Sequence, residues 1–332
     1  MLKKSVVLAA ALLLASGGAV QAAKPPVIDP ASLPQGAPAT IAYHAEGTGI
    51  VTPSGTIATP LTTTSGSAGL VDGRYVVVTG HTTDTQTGAV GTIYHLVDQA
   101  GNATRVGGVY SQLDHGTTKI GNGFAAMTLD YTTKTDAPMA LLNLRTGQEF
   151  RHENRAYLAV VYFQPAPGGV PFTAYTGKKR GSRTVLKWRA DGSIHRLFRL
   201  PKHRAAQYVD ITRNLVVSSG KKRRTLVSTV RKPAKVRWST AFTQVKAISP
   251  NGKRVLMGRG NTTLDVRRLR DGKLLHRFTF TTSQHGEAAF EDNNTFLMAT
   301  PANGNQPDLL IRCRLSGSCE KVAGPANYYA FN

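Results

Sequence analysis

Carboxylates, cysteines and helical periodicity are all scarce in this chain. Its 332 residues include 19 Asp and Glu against 41 Lys and Arg, so few side chains are available for paired acid–base work. Asp98, Asp191 and Asp271 fall in or beside turns, where bonds to the local backbone account for them; Asp130 and Asp210 lie in or near strands. Two Cys, with no second Cys/His pair at ligand spacing, leave no zinc site. His44, His81, His95, His115, His203, His276 and His285 are dispersed, with no metal-ligand spacing. No Ser-x-Asp-x-Gly-x-Thr-Trp box occurs, and no Gly-x-Ser-x-Gly forms a strand–turn–helix elbow. Beyond residue 22 no segment keeps a 3.6-residue apolar period for more than a few turns, which excludes a long helix. None approaches the roughly 20 apolar residues of a membrane span. With charged residues at 18%, the chain is no disordered polyelectrolyte.

What is present begins with an export signal. Lys3 and Lys4 precede a short apolar run, Val6 to Ala15, and Val20-Gln21-Ala22 fits a small-x-small cleavage site after Ala22. A retained membrane anchor is the competing reading, but the run is too short for a span. Pro25, Pro26, Pro30, Pro34 and Pro38 mark residues 23–39 as an extended tether, leaving residues 40–332 as a single domain. The expected location is secreted or extracytoplasmic, at the cell envelope. Charge is segregated along the chain. Residues 1–166 hold 10 basic and 10 acidic residues; residues 167–332 hold 31 and 9, so the whole net charge of +22 lies in the second half.

A repeat organises the rest. In the stretch from Val245 to Phe280, Val245–Ser249, Arg254–Gly258, Thr262–Leu269 and Lys273–Phe280 read as strands. Pro250-Asn251-Gly252-Lys253, Arg259-Gly260-Asn261 and Arg270-Asp271-Gly272 connect them. The second strand of this unit recurs at Tyr75–Thr79, Phe124–Leu129, Phe172–Thr176, Leu215–Ser219 and Phe296–Thr300, about every 40 to 50 residues. Five of the six outer hairpins share an x-x-Gly turn; the fourth has Arg231-Lys232-Pro233-Ala234-Lys235 instead. Four short strands at this period predict an all-β fold, a β-propeller of four-stranded antiparallel blades. Six units are visible. The hairpin within 41–61 and the C-terminal Ala326–Asn332, with Tyr328, Tyr329 and Phe331, would make a seventh blade that closes the ring; six blades is the alternative, and a β-sandwich the competing fold.

The stretch AISPNGKRVLM…TLDVRRLRDGKLLHRF resembles a blade of WD-repeat or TolB-like propellers, whose blades often carry a Ser-Pro-Asp-Gly-Lys-type turn. Asn251 stands where Asp is usual, and no Gly-His…Trp-Asp pair occurs. The whole chain is also similar to secreted bacterial propellers with a Cys pair in a late hairpin. That resemblance implies a binding or scaffold protein. In the hairpin itself, counting outward from Leu315-Ser316-Gly317 sets Cys313 opposite Cys319, where Cβ atoms lie about 4.5–5.5 Å apart, close enough for a disulfide after a small adjustment. A structural staple is expected there; a redox switch is the alternative.

Antiparallel blades also sort the basic clusters. The loops between second and third strands (B–C) and the connections from fourth strand to next blade (D–A) share one face, and the A–B and C–D turns the other. Lys178, Lys179, Arg180 and Arg183, then Lys221, Lys222, Arg223 and Arg224, then Arg259, belong to B–C loops of three consecutive blades. Lys202 and Arg204 belong to the D–A connection between the first two of these. Together they form one anion-binding patch, whereas the 231–237 cluster and Arg267, Arg268 and Arg270 map to the opposite face or outer wall. The expected partner is an anionic envelope polymer, an anionic lipid surface or an acidic protein, contacted by a monomer without catalysis or cofactor. Sequence-specific nucleic-acid binding is not indicated, because no aromatics interleave with the clusters. A solubilising surface with no dedicated ligand is the bland reading. The runner-up is a hydrolase or lyase acting on an extracellular polymer, with His81, Asp130, His203 and His285 gathered by ring closure.

Overall fold

The computed structural model describes residues 26–45, 49–61, 64–83, 90–110, 119–128, 139–152, 169–174, 183–241, 243–282, 288–300 and 309–323. The Val245 to Phe280 stretch shows how the sequence makes a blade. Gln244–Ile248, Arg254–Arg259, Thr263–Arg268 and Leu274–Phe280 pair in order as strands A to D, all antiparallel. Asn251 shapes the A–B turn: its side-chain oxygen accepts from Ser249 Oγ and from the Lys253 N–H at 3.0 Å. Alternate residues of strand B then point to opposite neighbours. Leu256 packs with Phe278 and Phe296 toward the next sheet, while Val255 and Met257 pack with Val217 and Trp238 of the preceding one.

The unit recurs as six blades of a β-propeller, spanning 64–110, 119–152, 169–199, 205–241, 244–280 and 288–321. Blades 1, 2, 4, 5 and 6 have four meander strands each; three of blade 3 are described, B to D. The fold expectation holds in its six-blade form. The seventh blade, expected from joining the two chain ends, is corrected. Among the described residues Tyr43–Ala45, Gly49–Thr52 and Gly55–Ile57 make a sheet of three strands, not four, and residues 324–332 lie outside the described residues. This N-terminal sheet fills the gap in the ring. Tyr43 packs with Leu297 and Leu310 of blade 6, and Ile50 with Val77 and Val97 of blade 1. The core is therefore a circle of interfaces between successive sheets.

The recurring x-x-Gly turn has two causes. Gly101, Gly147, Gly192, Gly272 and Gly317 all have positive φ, which the hairpin needs. They also abut the sheet before them: a Cβ on Gly192 would lie 2.4 Å from the Phe150 ring of blade 2, and one on Gly272 2.5 Å from the Trp238 ring of blade 4. The hairpin lacking this glycine, in blade 4, is the one whose 229–237 loop is held differently. Arg204 donates to its Pro233 and Ala234 carbonyls at 3.3 and 3.1 Å.

The segment read as a tether is docked. Val27–Ile28 pairs in parallel with the outer strand of blade 5, and Gln35 bridges to Lys321 in the outer strand of blade 6. Arg312, buried between blade 6 and this segment, pairs with Glu291 and Glu320 and donates to the Ala37 and Pro38 carbonyls. Prolines suit this course because an outer edge asks for few N–H donors. Cys313 and Cys319 face each other in the blade 6 hairpin and form the expected disulfide, with Cα atoms 4.2 Å apart.

Candidate functional site

Strand pairing fixes the two faces of the ring. In blade 4 the turn from Asp210 to Leu215 closes one end of strands A and B, and the Gly220–Arg224 pair opens the B–C turn at the other. The C–D face carries the described turn carboxylates, and each of these is partnered. Asp72 of blade 1 receives Arg145 of blade 2, with contacts of 2.9 Å. Asp210 receives Arg213 at 2.7 Å, and Asp271 receives Arg268 at 2.6 Å. Asp98 and Asp191 cap their own turns through Asn102 and Ser193.

These bonds set the acidities. The Arg145 hydrogen bond holds Asp72 below the usual carboxylate range, and the Asn102 and Ser193 bonds do the same for Asp98 and Asp191. Hydrogen bonding from Arg268 lowers Asp271 to about 2. Burial pushes Asp210 upward, but bonds from Thr212 and Arg213 outweigh it and leave the group depressed. Between blades 4 and 5, burial likewise opposes ionisation of Asp265, and Arg277 and Arg267 overcome it at 2.6 and 2.7 Å.

The B–C face is the reverse. Its described stretches on blades 3 to 5, residues 199–204, 220–224 and 258–262, contain no Asp or Glu. Lys202, Lys221, Lys222, Arg223 and Arg259 are exposed, and none forms an ion pair among the described residues. The blade 4 turn is also strained: Lys222 and Arg223 adopt φ of 54° and 50°, a left-handed conformation unfavourable for residues bearing a Cβ.

Of the other residues expected here, three are tied to the protein. Arg183 Nε reaches the Leu200 carbonyl at 3.4 Å, Arg204 holds the 229–237 loop, and Arg224 donates to Ser239 Oγ at 2.6 Å. Lys178, Lys179 and Arg180 lie outside the described residues. Two further cations belong to this end of the ring and escaped the sequence reading. Arg199 is exposed at the last position of its strand, and half-buried Lys246 occupies a bulge in strand A of blade 5. For Arg199 the available signal was its place three residues before Lys202; Lys246 carried none, because a bulge is invisible in the apolar alternation.

Chemically, Lys202, Lys221, Lys222, Arg223 and Arg259 offer exposed cations without an ion pair among the described residues. Among the described residues no group of three His, Cys, Asp or Glu could hold a metal. His203 is exposed on this face; Asp130, His285 and the His81 side chain lie outside what the structure describes, so the proposed convergence of these four is untouched by it. Among the described residues no helix is long and apolar enough to cross a membrane.

Four-stranded meander blades arranged in a ring define a propeller, and the comparisons with known proteins add names without adding argument. The crystal structure of Saccharomyces cerevisiae Sqt1 is similar at 10% identity and a TM-score of 0.48, covering 88% of this chain and 99% of that one. A chain in the crystal structure of the Mitotic Checkpoint Complex is similar at 8% identity and a TM-score of 0.49, covering 76% of each. No protein-family model and no curated protein matches the chain.

Proposed function

We propose that this chain is an exported, non-catalytic propeller of the cell envelope that binds an anionic polymer, lipid surface or acidic protein through the B–C face of blades 3 to 5. One observation carries the reading: on blades 3 to 5 the described turn carboxylates, Asp191, Asp210 and Asp271, all sit on the C–D face, while the described B–C-face stretches carry exposed cations and no carboxylate. Charge that served solubility alone would not call for carboxylates on only one of the two faces. Unmatched cations around a rim focus a positive field outward, attract polyanions, and make binding salt-sensitive. The described turns of this face, 199–204, 220–224 and 258–262, hold no Phe, Tyr or Trp, which suits backbone or headgroup charge better than base readout.

The test is retention of the chain from residue 23 onward on immobilised long-chain polyphosphate across a salt gradient, beside polyglutamate and vesicles containing anionic lipid. Salt-dependent retention on at least one of these, weakened by charge removal at Lys221, Lys222 and Arg223, is the expected result. Retention indifferent to those residues would reduce the patch to solubilising charge.

A further inference from the structure

One joint in the ring differs from the rest. Each pair of consecutive sheets along the chain is joined by the chain itself, as by residues 200–204 between blades 3 and 4. Blade 6 and the N-terminal sheet meet with no such link, because the two ends of the ring come together there. Their apolar contact sets Tyr43 and Ala45 against Leu297, Ala299, Leu310 and Val322, and Ala39 of the N-terminal segment is buried in the same cluster. The docked N-terminal segment spans this same joint from outside.

We infer that residues 27–40 are the clasp of the ring, a strap whose docking on blades 5 and 6 keeps this joint shut. Its grip has three parts. Ile28 accepts from the Thr281 N–H at 2.9 Å, and Ile28 and Leu33 pack on the cluster between blades 5 and 6. The Gly36 N–H donates to the Lys321 carbonyl at 2.7 Å, and the Lys321 N–H to the Pro34 carbonyl at 2.8 Å. Buried Arg312 and Glu291 then act as the latch. Arg312 donates to the Ala37 and Pro38 carbonyls, and Glu291 accepts from both the N–H and hydroxyl of Thr40, at 2.7 and 3.0 Å. The strap continues directly into Tyr43–Ala45, so holding it at Thr40 holds the first strand of the N-terminal sheet against blade 6. The contacts at Glu291, Arg312 and Lys321 join residues 251 to 290 positions apart, so they form only once the last blade exists.

Gly36 gives a handle for undocking it. A Cβ there would sit 2.5 Å from Cδ of Glu320, so Gly36→Val wedges at the strap, three residues before Ala39 joins the apolar cluster of the joint, and alters none of that cluster's residues. Hydrogen exchange on the full chain should then show at least tenfold faster exchange at Gly36, Lys321 and Thr281. The strands Tyr43–Ala45 and Thr295–Thr300 should speed up with them, and Leu215–Gly220 of blade 4 should not change. Strap amides that quicken while the joint stays protected would overturn the inference. Native-state exchange of the unaltered chain in sub-denaturing urea gives the same answer without a variant. Strap and joint should open as one unit below the global transition; separate openings would refute the clasp.

Discussion

Changing Lys221, Lys222 and Arg223 to Gln removes three exposed cations from one turn and leaves Arg224, which is bonded to Ser239, in place. A basic residue near an anionic surface contributes about 1 kcal/mol, so the triple variant should lose about 3 kcal/mol, roughly a hundredfold in affinity. Because each neutralised phosphate releases about 0.7–0.9 of a counter-ion, the slope of log affinity against log salt should flatten by about 2 to 3. Stability should move by no more than about 0.5 kcal/mol, since none of the three side chains makes a packed contact. Arg189, Lys253 and Lys273 are the proper control: all three are exposed, and all lie by the A–B or C–D turns of the opposite face. Changing them to Gln removes the same net charge. Titration calorimetry with polyphosphate between 50 and 200 mM salt, by order of magnitude the range where such contacts are screened, separates the two variants. An equal loss in both would show that net charge, not the face, drives binding.

Four further outcomes follow from the packing. Gly272→Val puts a branched side chain at positive φ and against the Trp238 ring, and should cost about 2–4 kcal/mol in urea unfolding. Asp265→Ala strands Arg267 and Arg277 between blades 4 and 5; breaking a buried pair this way should cost about 3–5 kcal/mol by the same measurement. Asp72, Asp98, Asp191, Asp210 and Asp271 all titrate below ordinary aspartate, so the stability they confer is present above about pH 4. It is lost as pH falls through their depressed values, down to about 2 for Asp271, and Asp271→Asn should remove that residue's share of the acid dependence in unfolding midpoints. Reducing the Cys313–Cys319 disulfide, which closes a short loop, should cost at most roughly 2–3 kcal/mol in denaturant midpoint shifts.

The blades were legible because their causes are local. Asn-Gly and Asp-Gly turns, apolar alternation and a steady spacing specify a meander within 40 or so residues, and observed strands such as Arg254–Arg259 and Leu274–Phe280 fall within about a residue of the expected ones. The second role of the turn glycines, clearing the outer strand of the preceding sheet, was not legible, since Phe150 and Trp238 lie 42 and 34 residues before Gly192 and Gly272. The N-terminal segment misled for the same reason. Its prolines describe an extended course equally well for a free tether and for a strand laid on an edge, and Arg312 and Glu291, which decide between them, lie more than 250 residues away. In the candidate site, face assignment came from the meander alone. Which cations are available did not, because Arg204 and Arg224 are taken up by carbonyls and a hydroxyl that the pattern of charges cannot reveal.

Lysine footprinting of the unaltered chain with and without bound polyphosphate is the most direct test that the B–C face takes the anion. Acetylation should slow by several-fold at Lys202, Lys221 and Lys222 and stay unchanged at Lys253 and Lys273. Protection at Lys253 and Lys273, or uniform protection over both faces, would contradict the assignment of that face.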